Sequence, residues 1–287
     1  MDDLLFNRVI KISDHGIKQG ITPRFIFQMQ ELHKKAFEPK RENIPDFNKY
    51  IQVVINDLTT FYDLHEKIKE KHSKYLNDLK NLTNISRQEN GALNIDQTLE
   101  QELINDLKDF FIKGRILLNN WASSEAVKDE FIDIKNLLIV KDNNFENQRE
   151  KYLALDEQKR YESIFIFIHK ARENFLSEFN SIRAEIEHNM MTFNFYQIST
   201  LNDKIIIKEP LLREKPMYAL VDSFYDNILN FIEKIMIFYY GINAVINWDG
   251  LMNLFEQKTV DYESGKYRYV ILVNSEKENL KRLINLT

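Results

Sequence analysis

The sequence predicts a mainly α fold: a long-helix up-down bundle carrying one or two small β-hairpin inserts. Three observations point there. Glycine (7) and proline (5) are scarce for 287 residues, so few breakers are present to punctuate many short strands. Hydrophobic residues make up 44% and aromatic residues 12%, enough to bury a core and to argue against disorder. Four long stretches also repeat apolar side chains at steps of three and four, the period of one buried helical face. Such segments, joined by short connections, bury their apolar faces best against one another. No repeat of fixed period is visible.

Residues 1–42 read as an N-terminal helical extension. Ile21-Thr22-Pro23 leads into a short helix ending near Phe37, and Pro39 and Pro45 bracket a polar link. The extension is expected to cap the main body or to reach a partner. Residues 43–250 are expected to form the bundle. Its first helix runs from Pro45 to Leu82, with Ile51, Val54, Ile55, Leu58, Phe61, Tyr62, Ile68, Tyr75, Leu79 and Leu82 on one stripe. Asn84 to Asn94 is a polar loop containing Gly91. Asp96 is placed to cap a second helix that reaches about Trp121; Ser123-Ser124 are expected to break or bend it before a helical run from Val127 to Val140. Gly114 sits inside that helix, where it costs about 1 kcal/mol against alanine. A close helix crossing would account for it.

Lys141 to Asn147 reads as an Asn-rich loop. The third helix is expected from Gln148 to Met191. Phe165, Ile168, Arg172, Phe175, Phe179, Ile182, Ile186 and Met190 form its core stripe, and His169 is an interior histidine. Phe193–Ile198 and Lys204–Lys208 flank Leu201-Asn202-Asp203 as a β-hairpin, closed by Pro210 and Pro216. The fourth helix, Met217 to Ile246, is apolar along Leu220, Phe224, Ile228, Phe231, Ile235, Phe238 and Ile242. Residues 251–287 are expected to hold a second hairpin and a short polar helix. The hairpin pairs Val260–Tyr262 with Tyr267–Val273 around Glu263-Ser264-Gly265-Lys266.

Composition removes several function classes. With no cysteine, disulfides, thiolate metal sites and cysteine nucleophiles are excluded. The start, MDDLLFNRVIKISDHG, lacks the basic region and apolar core of a signal peptide. The most apolar stretch, Ile228 to Ile246, carries Asn230, Glu233 and Lys234 and reads as a buried helix, not a membrane span. A cytoplasmic protein with no membrane partner is expected. The net charge of −5 confines any nucleic-acid contact to a local patch. No P-loop, GxGxxG, HExxH or nucleophile elbow is present. Glu185-x-x-His188 matches half of a carboxylate di-iron signature, but His65, Glu66, Glu70 and His72 have the wrong spacing for the other half. Neither a metal nor a cofactor is expected.

Chemistry is concentrated in Arg183-Ala184-Glu185-Ile186-Glu187-His188. A guanidinium is a permanent cation and an imidazole a near-neutral proton shuttle, the two groups that metal-free attack on an RNA phosphate needs. The plainer reading pairs Arg183 with Glu187 at i,i+4 and places His188 favourably near a helix C-terminus. Five steps at about 100° separate the two side chains by ~140° on a straight helix. Either the helix distorts there, or two copies of the motif meet.

An R-x4-H pair late in a long helix, followed by a strongly apolar helix, resembles the HEPN superfamily, whose members carry R-x(4–6)-H near the end of a bundle helix. The helices around Phe61, Phe111, Phe179 and Phe231 supply the matching bundle over residues 45–246. Ala184 departs from the polar residue, commonly Asn, that often follows the family's arginine. The resemblance implies a metal-independent endoribonuclease with a composite site at a homodimer interface. His188 would be general base or acid at the 2′-hydroxyl or the leaving 5′-oxygen, and Arg183 the phosphate clamp. Products would end in a 2′,3′-cyclic phosphate and a 5′-hydroxyl. Asn189 and Tyr196 lie close enough in sequence to hydrogen-bond the phosphate or to serve as structure. Lys204, Lys208, Arg213 and Lys215 form a locally basic stretch that either guides RNA or is a solvated hairpin face. A toxin, defence or stress effector is implied, with an antitoxin or regulatory protein as a further partner. The alternative is a non-catalytic helical interaction protein of the same fold, with Arg183 and His188 as surface or interface residues.

Overall fold

The computed structural model describes residues 21–39, 46–85, 94–97, 99–123, 137–138, 142–155, 162–188, 190–193, 196–201, 204–247, 252–257 and 268–273. The fold is mainly α with small antiparallel sheets. A π turn, Pro23–Phe27, opens the first helix, α1 (Gln28–Phe37). α2 (Phe47–Val53) passes through a second π turn, Val54–Leu58, into α3 (Thr59–Ile85). β1 (Asn94–Gln97) precedes α4 (Gln101–Ala122). α5 (Asp142–Leu155) and α6 (Glu162–Ala171) follow; a third π turn, Arg172–Leu176, leads into α7 (Ser177–Glu187). β2 (Tyr196–Leu201), β3 (Lys204–Lys208), β4 (Leu211–Leu212) and β5 (Lys215–Pro216) come before α8 (Met217–Asn247), and β6 (Met252–Glu256) and β7 (Tyr269–Val273) after it.

The chain forms two compact units. The first takes its described residues from 1–56, 121–168 and 231–287, the second from 57–120 and 169–230. In the second, α3, α4, α7 and the first half of α8 turn aromatic stripes inward. Phe61 packs on Phe110 with ring centroids 4.7 Å apart, Phe111 on Phe179 at 5.4 Å, and Phe179 on Phe224 at 5.3 Å. α4 crosses these helices at Gly114. A Cβ there would lie 2.8 Å from Phe179 Cζ and 2.9 Å from Phe61 Cε2, so only glycine permits this approach. The crossing expected from the mid-helix glycine is present.

Strand order in the second unit is β1-β2-β3, all antiparallel. Leu201 faces Lys204 at the hairpin end and Asn94 faces Ser199 on the other edge. The first unit is built around the second half of α8. Trp121 and Phe167 both pack on Phe231, at 6.1 and 5.6 Å. Glu233, fully buried, accepts hydrogen bonds from Arg24 (2.5 Å), Gln28 (3.1 Å) and Arg268 (3.4 Å). Gln28 in turn accepts the Tyr269 N–H at 3.2 Å, so one carboxylate ties the first helical segment to β7.

Several expectations need correction. Asp96 does not cap a helix: it lies in β1, opposite Gln197. The Asn-rich stretch after Lys141 is helical from Asp142, not a loop. Of the third long helix, residues 156–161 lie outside the described residues, and its last segment, α7, ends at Glu187 rather than Met191 because His188 leaves helical geometry at φ −87°, ψ 8°. Met190 is therefore exposed, not core. His169 is exposed beside Glu173, 3.5 Å away, and is not interior. β7 takes Met252–Glu256 as its partner in place of Val260–Tyr262. The loop residues 86–93, most of the Val127–Val140 run, the 260–266 turn and the terminal helix after 273 lie outside the described residues. No helix among those described is long and apolar enough to cross a membrane.

Candidate functional site

α7 is unbroken from Ser177 to Glu187, with Phe179, Ile182 and Ile186 buried. Those three define its inward face. Arg183 sits on a flank of that face, about a third exposed, and forms the i,i+4 ion pair with Glu187. Its Nε is buried without a hydrogen-bond partner. His188 caps the helix: its N–H donates to Ala184 O at 3.0 Å, and its side chain is exposed. The Met190 N–H donates to Glu185 O at 2.8 Å, so the backbone turns away directly after the motif. The π turn that distorts this segment lies at Arg172–Leu176, before the motif. Within one chain the two side chains therefore keep their ~140° separation, and no contact joins them among the described residues.

The Gly114 crossing brings a residue to Arg183 that no motif marks. Arg115, next along α4, is 7% exposed, and its Nη1 has no hydrogen-bond partner. Burial lowers its pKa, and the positive charge of Arg183 lowers it further. Two guanidiniums thus share one region, and Glu187 is bonded to the more exposed of them. An unpaired buried charge is costly, several kcal/mol by general experience. The sequence does hold a signal for it: Arg115 follows Leu107 and Phe111 and precedes Leu118 at helical spacing, a charge inside an apolar stripe.

The remaining candidates separate. Tyr196 is fully buried in β2, its hydroxyl 2.8 Å from that of Tyr218; burial first, and then this hydrogen bond, raises its pKa. Arg213 donates to Ser181 Oγ at 2.8 Å and pairs with Glu185, and Lys215 reaches both Glu178 oxygens at 2.9 and 2.8 Å. Half of the basic stretch is therefore neutralised on the α7 flank away from Arg183. The turn between β4 and β5 holds Arg213 and Glu214 at φ 51° and 64°, a region costly for side chains with a Cβ. Lys208 is exposed on β3, and Lys204 begins that strand. Asn189 lies outside the described residues. Among those described, no three His, Asp or Glu side chains are grouped to hold a metal ion.

A second polar seam escaped the sequence reading. His65 and His72, seven apart on α3, meet α8: His65 Nε2 is 2.7 Å from Asp222 Oδ1, and the His65 ring stacks on Tyr225 at 4.0 Å. His72 stacks on Tyr218. Burial pulls the His72 pKa down to about 4 against the opposing charge of Asp222, so this imidazole is neutral at pH 7. Its signal was the shared seven-residue spacing of His65/His72 and Tyr218/Tyr225.

Comparison of this chain with family models, curated proteins and solved structures gave no match.

Proposed function

We propose that the chain is a HEPN-like, metal-independent endoribonuclease of toxin, defence or stress type, working as a homodimer whose long helices form an up-down bundle. One observation carries the reading. Arg183 and His188 reach solvent at the C-terminal end of a helix whose intervening Ile186 is buried, so a rigid core holds two chemically apt groups at a surface. Their angular separation calls for a second copy: the arginine of one protomer beside the histidine of its partner. There His188 moves a proton between itself and the 2′-hydroxyl or 5′-oxygen, and Arg183 binds the phosphate as negative charge builds. The Arg183–Glu187 pair is no barrier. An exposed ion pair contributes about 0–1 kcal/mol, less than a bidentate arginine–phosphate contact supplies. Lys208 and Lys204 of the hairpin extend the RNA path in this reading.

The same ion pair, with the net charge of −5, supports a second reading: a non-catalytic helical interaction protein of the same fold. Expression of the wild type beside Arg183→Ala and His188→Ala separates the two. The nuclease predicts growth arrest and EDTA-resistant RNA cleavage, each falling about 100-fold or more in both variants. Equal behaviour of all three proteins leaves only the interaction role.

A further inference from the structure

We propose that Arg115 and Arg183, brought together where α4 crosses α7, form a two-guanidinium seat for a phosphate-type oxyanion. The seat stands on its own geometry; the identity of its occupant as an RNA phosphodiester rests on the nuclease reading above.

The crossing is fixed by Gly114, where even a methyl group would press on Phe179 and Phe61 at under 3 Å. Arg115 is one residue beyond that contact on α4, and Arg183 is one helical turn beyond Phe179 on α7. Arg115 is 7% exposed with Nη1 buried and unbonded, the Nε of Arg183 is likewise buried and unbonded, and the two charges act on one another. No carboxylate is bonded to Arg115 among the described residues, while the one on Arg183, Glu187, is about 38% exposed and free to swing away. A lone buried arginine pushed against a second cation is an arrangement that stability disfavours. An oxyanion removes the conflict. It supplies acceptors to the unbonded donors of both forks and offsets both charges, and guanidiniums bind phosphate bidentately where lysines act as point charges. Arg115 is a binding residue in this scheme; proton transfer stays with His188.

Thermal unfolding of the full chain tests the seat, with inorganic phosphate replacing chloride at constant ionic strength. Wild type and His188→Ala should both gain several degrees in Tm as phosphate saturates. Arg115→Gln should melt higher than wild type without phosphate, having lost an unpaired buried charge, and should no longer respond to it. Arg115→Lys keeps the charge and loses the fork, and should lose most of the response. It also serves if the glutamine variant fails to fold. An unchanged phosphate response in these variants overturns the seat, as does the lack of any response in wild type.

A second arm identifies the occupant: fluorescent single-stranded RNA is titrated into His188→Ala in EDTA, with and without Arg115→Lys. An RNA phosphate in the seat predicts binding weakened at least about tenfold and competition by inorganic phosphate. Loss of the phosphate response with RNA binding intact assigns the seat to a free anion and overturns the RNA occupant. Loss of cleavage-competence in wild type, with the Arg115-dependent phosphate response retained, removes the nuclease reading and leaves the seat.

Discussion

Alanine at position 114 would place its Cβ 2.8 Å from Phe179 Cζ and 2.9 Å from Phe61 Cε2, two rings with no solvent exposure. The substitution gains about 1 kcal/mol of helix propensity. Overpacking a closed core costs about 1–3 kcal/mol, and two aromatic rings locked against Phe110, Phe111 and Phe224 have little room to turn. Gly114→Ala should therefore unfold at lower urea, with a net loss of up to about 2 kcal/mol. A variant as stable as wild type would mean that the helices part easily. Gly114 was legible because a glycine inside a strong helical pattern carries a cost that needs a reason. Its neighbour Arg115 was not, although it sits on the apolar stripe. A long cation near the edge of a stripe ordinarily snorkels to water, whereas Arg115 beside the Gly114 contact is 7% exposed. Arg183 and His188 were legible as residue types at a known spacing. The ion pair with Glu187 was also legible, from its i,i+4 step alone.

At the scale of elements, α8 does the most to join sequence-distant segments. Glu233 stands on its fully buried face and gathers Arg24, Gln28 and Arg268. Glu233→Ala removes the acceptor these donors share, with Arg268 keeping Glu256 at 2.7 Å, and should cost about 3 kcal/mol, a drop in Tm that differential scanning calorimetry would register plainly. Glu233→Gln retains an acceptor and the shape, so its loss should be clearly smaller; equal losses would show that charge, not packing, governs the site. α8 was readable end to end because its apolar steps persist over many turns, whereas α3 runs on to Ile85, past the expected end at Leu82 and into the stretch read as a loop. β1 was not. Asn94-Ile95-Asp96-Gln97 is four residues long with one apolar side chain, and its pairing comes entirely from β2, a hundred residues later. α5 was hidden for a related reason. Its opening, Asp142-Asn143-Asn144, has the composition of a loop, and it becomes helical while burying Phe145 against Phe165. The β6–β7 pairing misled because any of several apolar runs fits a hairpin partner, and register depends on which one meets a buried face. Ile271 and Tyr269 supply that face here.

At the scale of the molecule, the proposed site exists only between two copies. Purified Arg183→Ala and His188→Ala, each inactive, should regain cleavage when mixed and allowed to exchange subunits. Half of the dimers are then mixed, each with one intact composite site, so recovery should approach roughly a quarter of wild-type activity. Recovery of none would confine both groups to one protomer or end the dimer proposal. The division into two units carries a further consequence for synthesis. The second unit has its last described strand-and-helix contributions in hand once residue 230 has been made, whereas the first waits for Arg268 and β7. On the ribosome, then, Arg24 and Gln28 emerge early and meet Glu233 only after most of the chain has been made. A nascent chain stopped short of residue 268 would carry the entire R-x4-H helix on a half-finished body. Synthesis of β7, rather than emergence of the motif, is the event that closes the first unit.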